Sequence, residues 1–259
     1  MTNEKPIILV TNDDGITAPG IRNLVEAVKD MGTVVVVAPD SPQSGMGHAI
    51  TIGHPLRLHT VKIFDGIESW QTSGTPVDCV KLARDKVLNR KPDICLSGIN
   101  HGANHSINVL YSGTMSAAME AAIEGIPSAG FSLLDYNFDA DFTVARKVVR
   151  AVTAQLLKRD LPEHTLLNVN ITAVNEAAFN GLKVCRQAHA RWAEEFDHRV
   201  DPRGENYYWM VGKFVNLDDK PDTDVEALKA GYASVVPVKF DLTDRDMMAK
   251  LKKDWSGIL

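Results

Sequence analysis

The chain has 259 residues, 44% of them hydrophobic and 24% charged, which is enough apolar material for a large buried core. A formal net charge of -5 with no cluster of lysine or arginine argues against a nucleic-acid polymer as main partner, since such a partner needs a basic footprint against its phosphates. Cys79, Cys95 and Cys185 form no C-x-x-C pair, which argues against a disulfide framework or structural zinc. The short polar start before Ile7 predicts neither a signal peptide nor a membrane span, so a cytoplasmic protein with no membrane partner is expected.

Ile7 to Val10 is an apolar run that stops at Thr11-Asn12-Asp13-Asp14-Gly15. Ala18-Pro19-Gly20 then leads into a helical pattern over Ile21 to Met31, with apolar residues at Ile21, Leu24, Val25 and Val28. Val34 to Ala38 is a second unbroken run, closed by Pro39-Asp40. Continuous Val/Ile/Leu runs are what strands buried on both faces look like, so the pair reads as a βαβ unit of a parallel sheet with helices on both sides. Ile52 to Trp70 reads as a hairpin beside that sheet. Thr75-Pro76-Val77-Asp78 offers a capping hydroxyl, a proline at the first helical position and an acid in the first turn, so a helix is predicted from there to Asn89.

Strands at Ile94 to Leu96, Ser128 to Ser132 and Leu166 to Val169 alternate with helices at Thr114 to Glu124 and Asp141 to Leu157. Beyond Asn170 the alternation loosens. Arg186 to Phe214 reads as a long hairpin about Asp201-Pro202-Arg203-Gly204, with Trp192 and Phe196 on one arm and Tyr207, Tyr208 and Trp209 on the other. That aromatic content calls for something to pack on, either the chain's own core or a second subunit. A short helix at Val225 to Lys229, a strand at Ala233 to Val238 and a helix at Thr243 to Lys252 complete the chain. The expected fold is α/β, a doubly wound, mostly parallel sheet, divided into residues 1–185 and an extension at 186–259 that carries the hairpin.

Three loops dense in small and polar residues follow predicted strands: Asn12 to Gly15, Ser41 to His48, and Ser97 to Asn104. In a doubly wound sheet such loops meet at the carboxyl edge, where ligands bind. Two adjacent carboxylates there repel each other unless a cation lies between them. Asp-Gly is also a common turn dipeptide, and by itself the run is explained as well by a turn. Asp13, Asp14, Ser44 and Asn100 together supply the oxygen set that magnesium or manganese takes, provided the chain has already turned at Gly15. Tyr111-Ser112-Gly113-Thr114 runs into a helix whose N-terminal N–H groups and hydroxyls suit a phosphate-sized anion. His101 and His105 are four apart, but Gly102 argues against the helix that would make them a zinc pair, and solvation in a loop is expected. The absence of G-x-S-x-G leaves a serine-triad hydrolase unsupported.

With these segments in view, the sequence resembles the SurE family (survival protein E). The matching motifs are Ile8 to Gly15 with Ala18-Pro19-Gly20-Ile21, Val37-Ala38-Pro39-Asp40 with Ser44-Gly45, and Gly74-Thr75-Pro76 with Asp78-Cys79-Val80. Ser97-Gly98-Ile99-Asn100 with Gly102 and Asn104, Tyr111 to Thr114 with Ala117 to Glu120, Asp201 to Gly204, and Thr223-Asp224 continue the match. The resemblance implies a Rossmann-like domain with a C-terminal extension used in dimer and tetramer assembly. It implies a phosphatase that uses one divalent cation, magnesium or manganese, to release phosphate from nucleoside monophosphates, with some members acting on short polyphosphate. It further implies that Asp13, Asp14, Ser44 and Asn100 are the metal ligands, with the two aspartates catalytic. Asn104, Ser112, Gly113 and Thr114 correspond to the phosphate pocket. Ala103 stands where the family commonly has proline. A haloacid-dehalogenase-like phosphatase fits less well, because its paired aspartates are two apart and here that spacing starts from Asn12. A nucleotide-binding regulatory or assembly protein with a degenerate pocket is the alternative from a different class.

Overall fold

The structure is a computed structural model that describes residues 5–158, 161–256 and 258; most of the polar start, residues 1–4, lies outside the described residues. The first apolar run forms β1 (Ile7–Thr11) and the second β2 (Thr33–Pro39), paired in parallel with Ile8 opposite Val34. Between them α1 (Pro19–Val28) starts with a proline in its first turn, where no helical N–H is lost, and ends three residues before the predicted Met31. Alternate residues of a strand face opposite ways. Accordingly Ile8, Val10, Val34 and Val36 pack in one cluster with α1, while Leu9, Val35 and Val37 pack in another on the opposite face.

The hairpin predicted beside the sheet extends it. β3 (Leu58–Thr60) and β4 (Glu68–Thr72) are antiparallel to each other, and β4 runs parallel to β2. The helix predicted to Asn89 is α-helical only over α2 (Pro76–Leu82), with Thr75 and Asp78 forming the reciprocal capping box. It then widens into one π-helical turn, Ala83–Val87, closed by Leu88 N–H donating to Ala83 C=O at 2.8 Å. The next strand corrects another expectation. β5 (Ile94–His101) runs well past Leu96, so most of the segment expected as a loop is strand. Ser97-Gly98-Ile99-Asn100 carries small and polar residues, yet Asn100 and His101 pair with the following strand, β6 (Ser128–Leu133), after a register shift. Gly98 makes that shift possible: its φ is +126°, and a Cβ there would lie 2.4 Å from the Phe131 carbonyl oxygen.

A 3-10 segment at Ser106–Leu110 leads to α3 (Gly113–Ile123), and α4 (Thr143–Leu156) links β6 to β7 (Thr165–Ile171). The sheet gains two more strands from the second half of the chain: β8 (Leu182–Val184) and β11 (Ala233–Lys239). β11 inserts antiparallel beside β7, with β8 parallel on its far side, giving the order β3-β4-β2-β1-β5-β6-β7-β11-β8. The long hairpin stands apart as a two-stranded sheet of β9 (Ala190–Val200) and β10 (Asn206–Asn216). Short α5 (Asp224–Lys229) and α6 (Arg245–Asp254) flank β11. Among the described residues no helix is long and apolar enough to cross a membrane.

The chain leaves β1 toward β2 on one side and later returns to place β5 on the other side of β1. This reversal opens a crevice at the carboxyl ends of β1 and β5. α1 closes against it so tightly that a Cβ on Gly20 would lie 1.9 Å from the Ile99 carbonyl oxygen. Gly20→Ala is therefore expected to cost about 1–3 kcal/mol through overpacking and to lower Tm by several degrees. Gly53→Ala, where nothing lies within 4 Å of the added atom, is the control in the same melting experiment and should leave Tm within about a degree.

Candidate active site

The chain bends immediately after β1, and the turn presents Asp13 and Asp14 at the crevice. Asn12 fixes it, its Nδ2 donating to the Gly15 carbonyl at 2.8 Å, while Gly15 adopts a φ of +94°. The Ser44 loop is drawn to the same place by main-chain bonds: Gln43 N–H donates to Asp13 C=O at 2.8 Å, and Ile16 N–H to Pro39 C=O at 2.9 Å. Farther along that loop His48 Nε2 meets Glu120 Oε2 at 2.9 Å, and Lys81 also donates to this carboxylate. Burial alone would raise the Glu120 carboxyl, but the bonds from His48 and Lys81 outweigh it and hold it below the usual range. Glu120 thereby ties the Ser44 loop to α2 and α3.

A cleft of about 910 Å³ opens over these elements. Six of the eight residues singled out from the sequence line it: Asp13, Asp14, Ser44, Asn100, Asn104 and Ser112. Gly113 and Thr114 stand behind Asp13 instead. Thr114 Oγ1 donates to Asp13 Oδ1, and a Cβ on Gly113 would lie 2.7 Å from Asp13 Cβ, so this glycine is the space into which the aspartate fits. Asn100 spends its amide hydrogens on the carbonyls of His101 (3.2 Å) and Gly102 (2.8 Å), which leaves Oδ1 as its remaining acceptor. Asn104 is set by a buried network: its N–H donates to Asn170 Oδ1 at 2.7 Å, its Nδ2 to Ser132 Oγ at 2.8 Å, and Asn168 Nδ2 donates to its carbonyl at 2.9 Å. Ser112 caps α3, its Oγ accepting from Met115 N–H at 3.1 Å, and its hydroxyl proton stays available to an anion.

The wall also contains residues the sequence did not single out for it. His101 lines the cleft, and neither it nor His105 is a solvated loop residue: the His101 ring packs edge-on against Phe142 and the His105 ring against Phe214. Tyr111 and Tyr136 contribute from two loops, and Trp192, Glu194, Met210 and Gly212 from the root of the hairpin. Their sequence signal was the aromatic content of the hairpin; its position over β1 and β5 depends on long-range folding.

The charges are one-sided. Asp13, Asp14 and Glu194 line the cleft, and no lysine or arginine does so among the described residues. Burial, and then the neighbouring Asp14 charge, push the Asp13 carboxyl up to about 6. Burial also raises Asp14, partly offset by His101. Asp14 Oδ2 is buried without a hydrogen-bond partner. Two crowded carboxylates, one with an unpaired buried oxygen, share the cleft with the hydroxyl of Ser44 and the amide oxygen of Asn100, and the chemistry of these hard oxygen donors fits a divalent cation. The set contains only two acids, and among the described residues no three His, Cys, Asp or Glu side chains group around a common point.

A raised carboxyl favours the protonated form in the folded state, so its cost is absent below about pH 4, grows as pH rises through 6, and then levels off. With the shift from 3.8 to about 6, that cost amounts to about 3 kcal/mol. In the presence of chelator, Asp13→Asn is expected to raise Tm at pH 7.5 and to leave it unchanged at pH 4. Equal melting of the two proteins at pH 7.5 would contradict the burial argument.

A family model described as "Survival protein SurE" matches residues 8–194. The chain is 59% identical over 258 residues to a protein of Christiangramia forsetii named 5'-nucleotidase SurE, covering 99% of each chain. It is 56% identical to one of the same name from Cytophaga hutchinsonii, covering 98% of each. The crystal structure of the SurE protein from Aquifex aeolicus superimposes with a TM-score of 0.83 at 40% identity, over 96% of this chain and 99% of that one. With motifs, fold and both kinds of relative in agreement along almost its whole length, the chain belongs to the SurE family.

Proposed function

We propose that this protein is a divalent-metal-dependent nucleotidase that hydrolyses nucleoside monophosphates to nucleoside and phosphate. The observation that carries the reading is the cleft's charge: it has room for a nucleotide and an anion-binding helix N-terminus, yet its lining contains three carboxylates and, among the described residues, no lysine or arginine. Such a cleft repels a phosphate monoester unless a cation is bound first. The names of the C. forsetii and C. hutchinsonii relatives support the substrate class.

Asp13, Asp14, Ser44 and Asn100 would hold the cation, magnesium or manganese. Once bound, it supplies positive charge beside the phosphoryl group and polarises water. The chain's own groups do the rest. Ser112 and the N–H groups opening α3 bind phosphoryl oxygens, with Asn104 fixed beside them, and these donors stand ready as charge develops. Thr114 pins Asp13, while Asp14 keeps an unpaired oxygen, so Asp14 is the group free to take the proton from the attacking water. As the water oxygen bonds to phosphorus the ester bond breaks, and the proton taken by Asp14 is passed on to the departing ribose oxygen, which restores the carboxylate; no covalent intermediate is needed. The regulatory or assembly-protein alternative gains nothing from this cleft, whose designated ligands are all present.

Two further features bear on setting. Cys79, Cys95 and Cys185 are free and buried, which suits a reducing, cytoplasmic compartment. The outer hairpin leaves Phe196, Tyr208 and Trp209 more than half exposed, and a second copy of this chain covering them in a dimer or tetramer accounts for that apolar surface.

Phosphate release from adenosine and guanosine monophosphates is expected to need added Mg2+ or Mn2+ and to stop with chelator. Asp14→Asn should lower kcat at least about 100-fold without loss of helical circular dichroism. Added Mn2+ should raise the Tm of the wild type and not of Asp14→Asn. Turnover of Asp14→Asn near the wild-type rate at saturating Mn2+ would sink the assignment.

A further inference from the structure

The root of the hairpin forms a wall of the cleft that the hydrolytic chemistry does not use. Along β9, Trp192, Glu194 and Phe196 face one way; on β10 they stand opposite Phe214, Gly212 and Met210 respectively. Gly212 lets the two strands close on each other, since a Cβ there would lie 2.5 Å from the Ala193 carbonyl oxygen and 3.0 Å from Glu194 Cα, and it leaves Glu194 with no side chain directly across the ladder. Trp192, Glu194, Met210 and Gly212 all line the cleft. The indole is held in advance: its Nε1 donates to Asn108 Oδ1 at 2.7 Å, and its ring packs edge-on against Phe214 at 5.8 Å between centroids. A flat, pre-positioned aromatic surface in the wall of the cleft suits a planar ring, and the Met210 thioether packs well against such a ring.

Glu194 settles which ring. A third carboxylate in a cleft for a phosphate ester opposes binding unless the far end of the substrate brings hydrogen-bond donors to it. Guanine does so, with its N1–H and exocyclic N2 amine spaced for the two oxygens of one carboxylate. Adenine presents a lone pair at N1 beside its amine, which a carboxylate repels. We infer that Trp192 and Glu194 form a nucleobase subsite that selects guanine over adenine. The inference rests on the nucleotidase reading for its substrate, and on the hairpin geometry for the base.

The test compares kcat/KM for guanosine and adenosine monophosphates, and separately the binding of guanosine and adenosine, which carry no phosphate. The wild type should favour the guanine compound about tenfold in both, the scale of one well-made bidentate contact. In Glu194→Gln the preference should fall to about twofold or less, mainly through KM, because a carboxamide can pair with adenine. Equal handling of the two bases by the wild type, or an unchanged ratio in Glu194→Gln, would overturn the inference. If Glu194→Gln weakens both ribonucleotides alike while sparing their 2'-deoxy forms, the carboxylate reads the sugar and the base assignment fails. Hydrolysis of p-nitrophenyl phosphate by the wild type, which involves no base, reports on the nucleotidase reading alone. Guanosine selectivity without any phosphate release would uphold the subsite and refute that reading.

Discussion

Two carboxylates on adjacent residues at one end of a strand, one buried and one half-buried, with no lysine or arginine among the described residues of the cleft they line, are the constraint around which this structure is arranged. In a metal-free chain the pair is an electrostatic liability, which the upward shift of both groups expresses. Stability alone would replace at least one of them. The fold instead devotes several specific features to keeping them together: the Asn12 bond to Gly15, the Thr114 hydroxyl on Asp13, and a glycine at 113 where any side chain would push Asp13 away. Strain held by this many independent contacts is the pattern expected of a site that gains its stability when a ligand binds.

The position of that pair follows from topology. β1 lies where the winding reverses, so its end adjoins β2 and the Ser44 loop on one side and β5 with Asn100 on the other. Each neighbour is secured by contacts outside the chemistry: Gln43 to the Asp13 carbonyl, the His48–Glu120–Lys81 cluster behind the Ser44 loop, and the closure of α1 on Ile99 at Gly20. The donors are thus carried on packed elements, as a site that must hold its geometry requires.

Much of this was legible in the sequence, and what was not shares a physical cause. β1 and β2 announced themselves because strands buried on both faces have no polar positions to interrupt them. The capping box at Thr75 and Asp78 was equally plain, being local in sequence. The end of β5 is not legible because Ser97-Gly98-Ile99-Asn100 has the composition of a loop, and pairing with β1 at Ser97 and with the distant β6 at Ser97 and Asn100 makes it a strand. β8 has three residues, too few for any periodicity, and exists because β11 offers it an edge. In the site, ligand-type residues were found by chemistry and spacing. His101, Trp192 and Glu194 were not, since nothing near them in the chain indicates what they face. Thr114 shows the finer limit: the sequence placed it beside a phosphate, and the structure gives its hydroxyl to Asp13.

The hairpin's contribution to the cleft depends on how firmly its root is joined to the phosphate side, and one buried acid makes that joint. Asp224, at the start of α5, accepts from Ser106 N–H at 2.8 Å, from Ala188 N–H at 3.0 Å and from Val225 N–H at 2.8 Å. Ser106 follows Asn104 by two residues, and its hydroxyl donates to Ala188 C=O at 2.8 Å. Ala188 precedes β9 by two residues. A carboxylate satisfied by three main-chain donors from three segments fixes those segments relative to one another, and removing it would leave buried N–H groups unpaired. The Asn104 loop, the base of the hairpin and α5 consequently form one rigid corner. The hairpin wall therefore keeps its place over the crevice even though the hairpin shares no strand pairing with the main sheet, and the long arm can extend from that corner without disturbing the distance between Trp192 and the two aspartates.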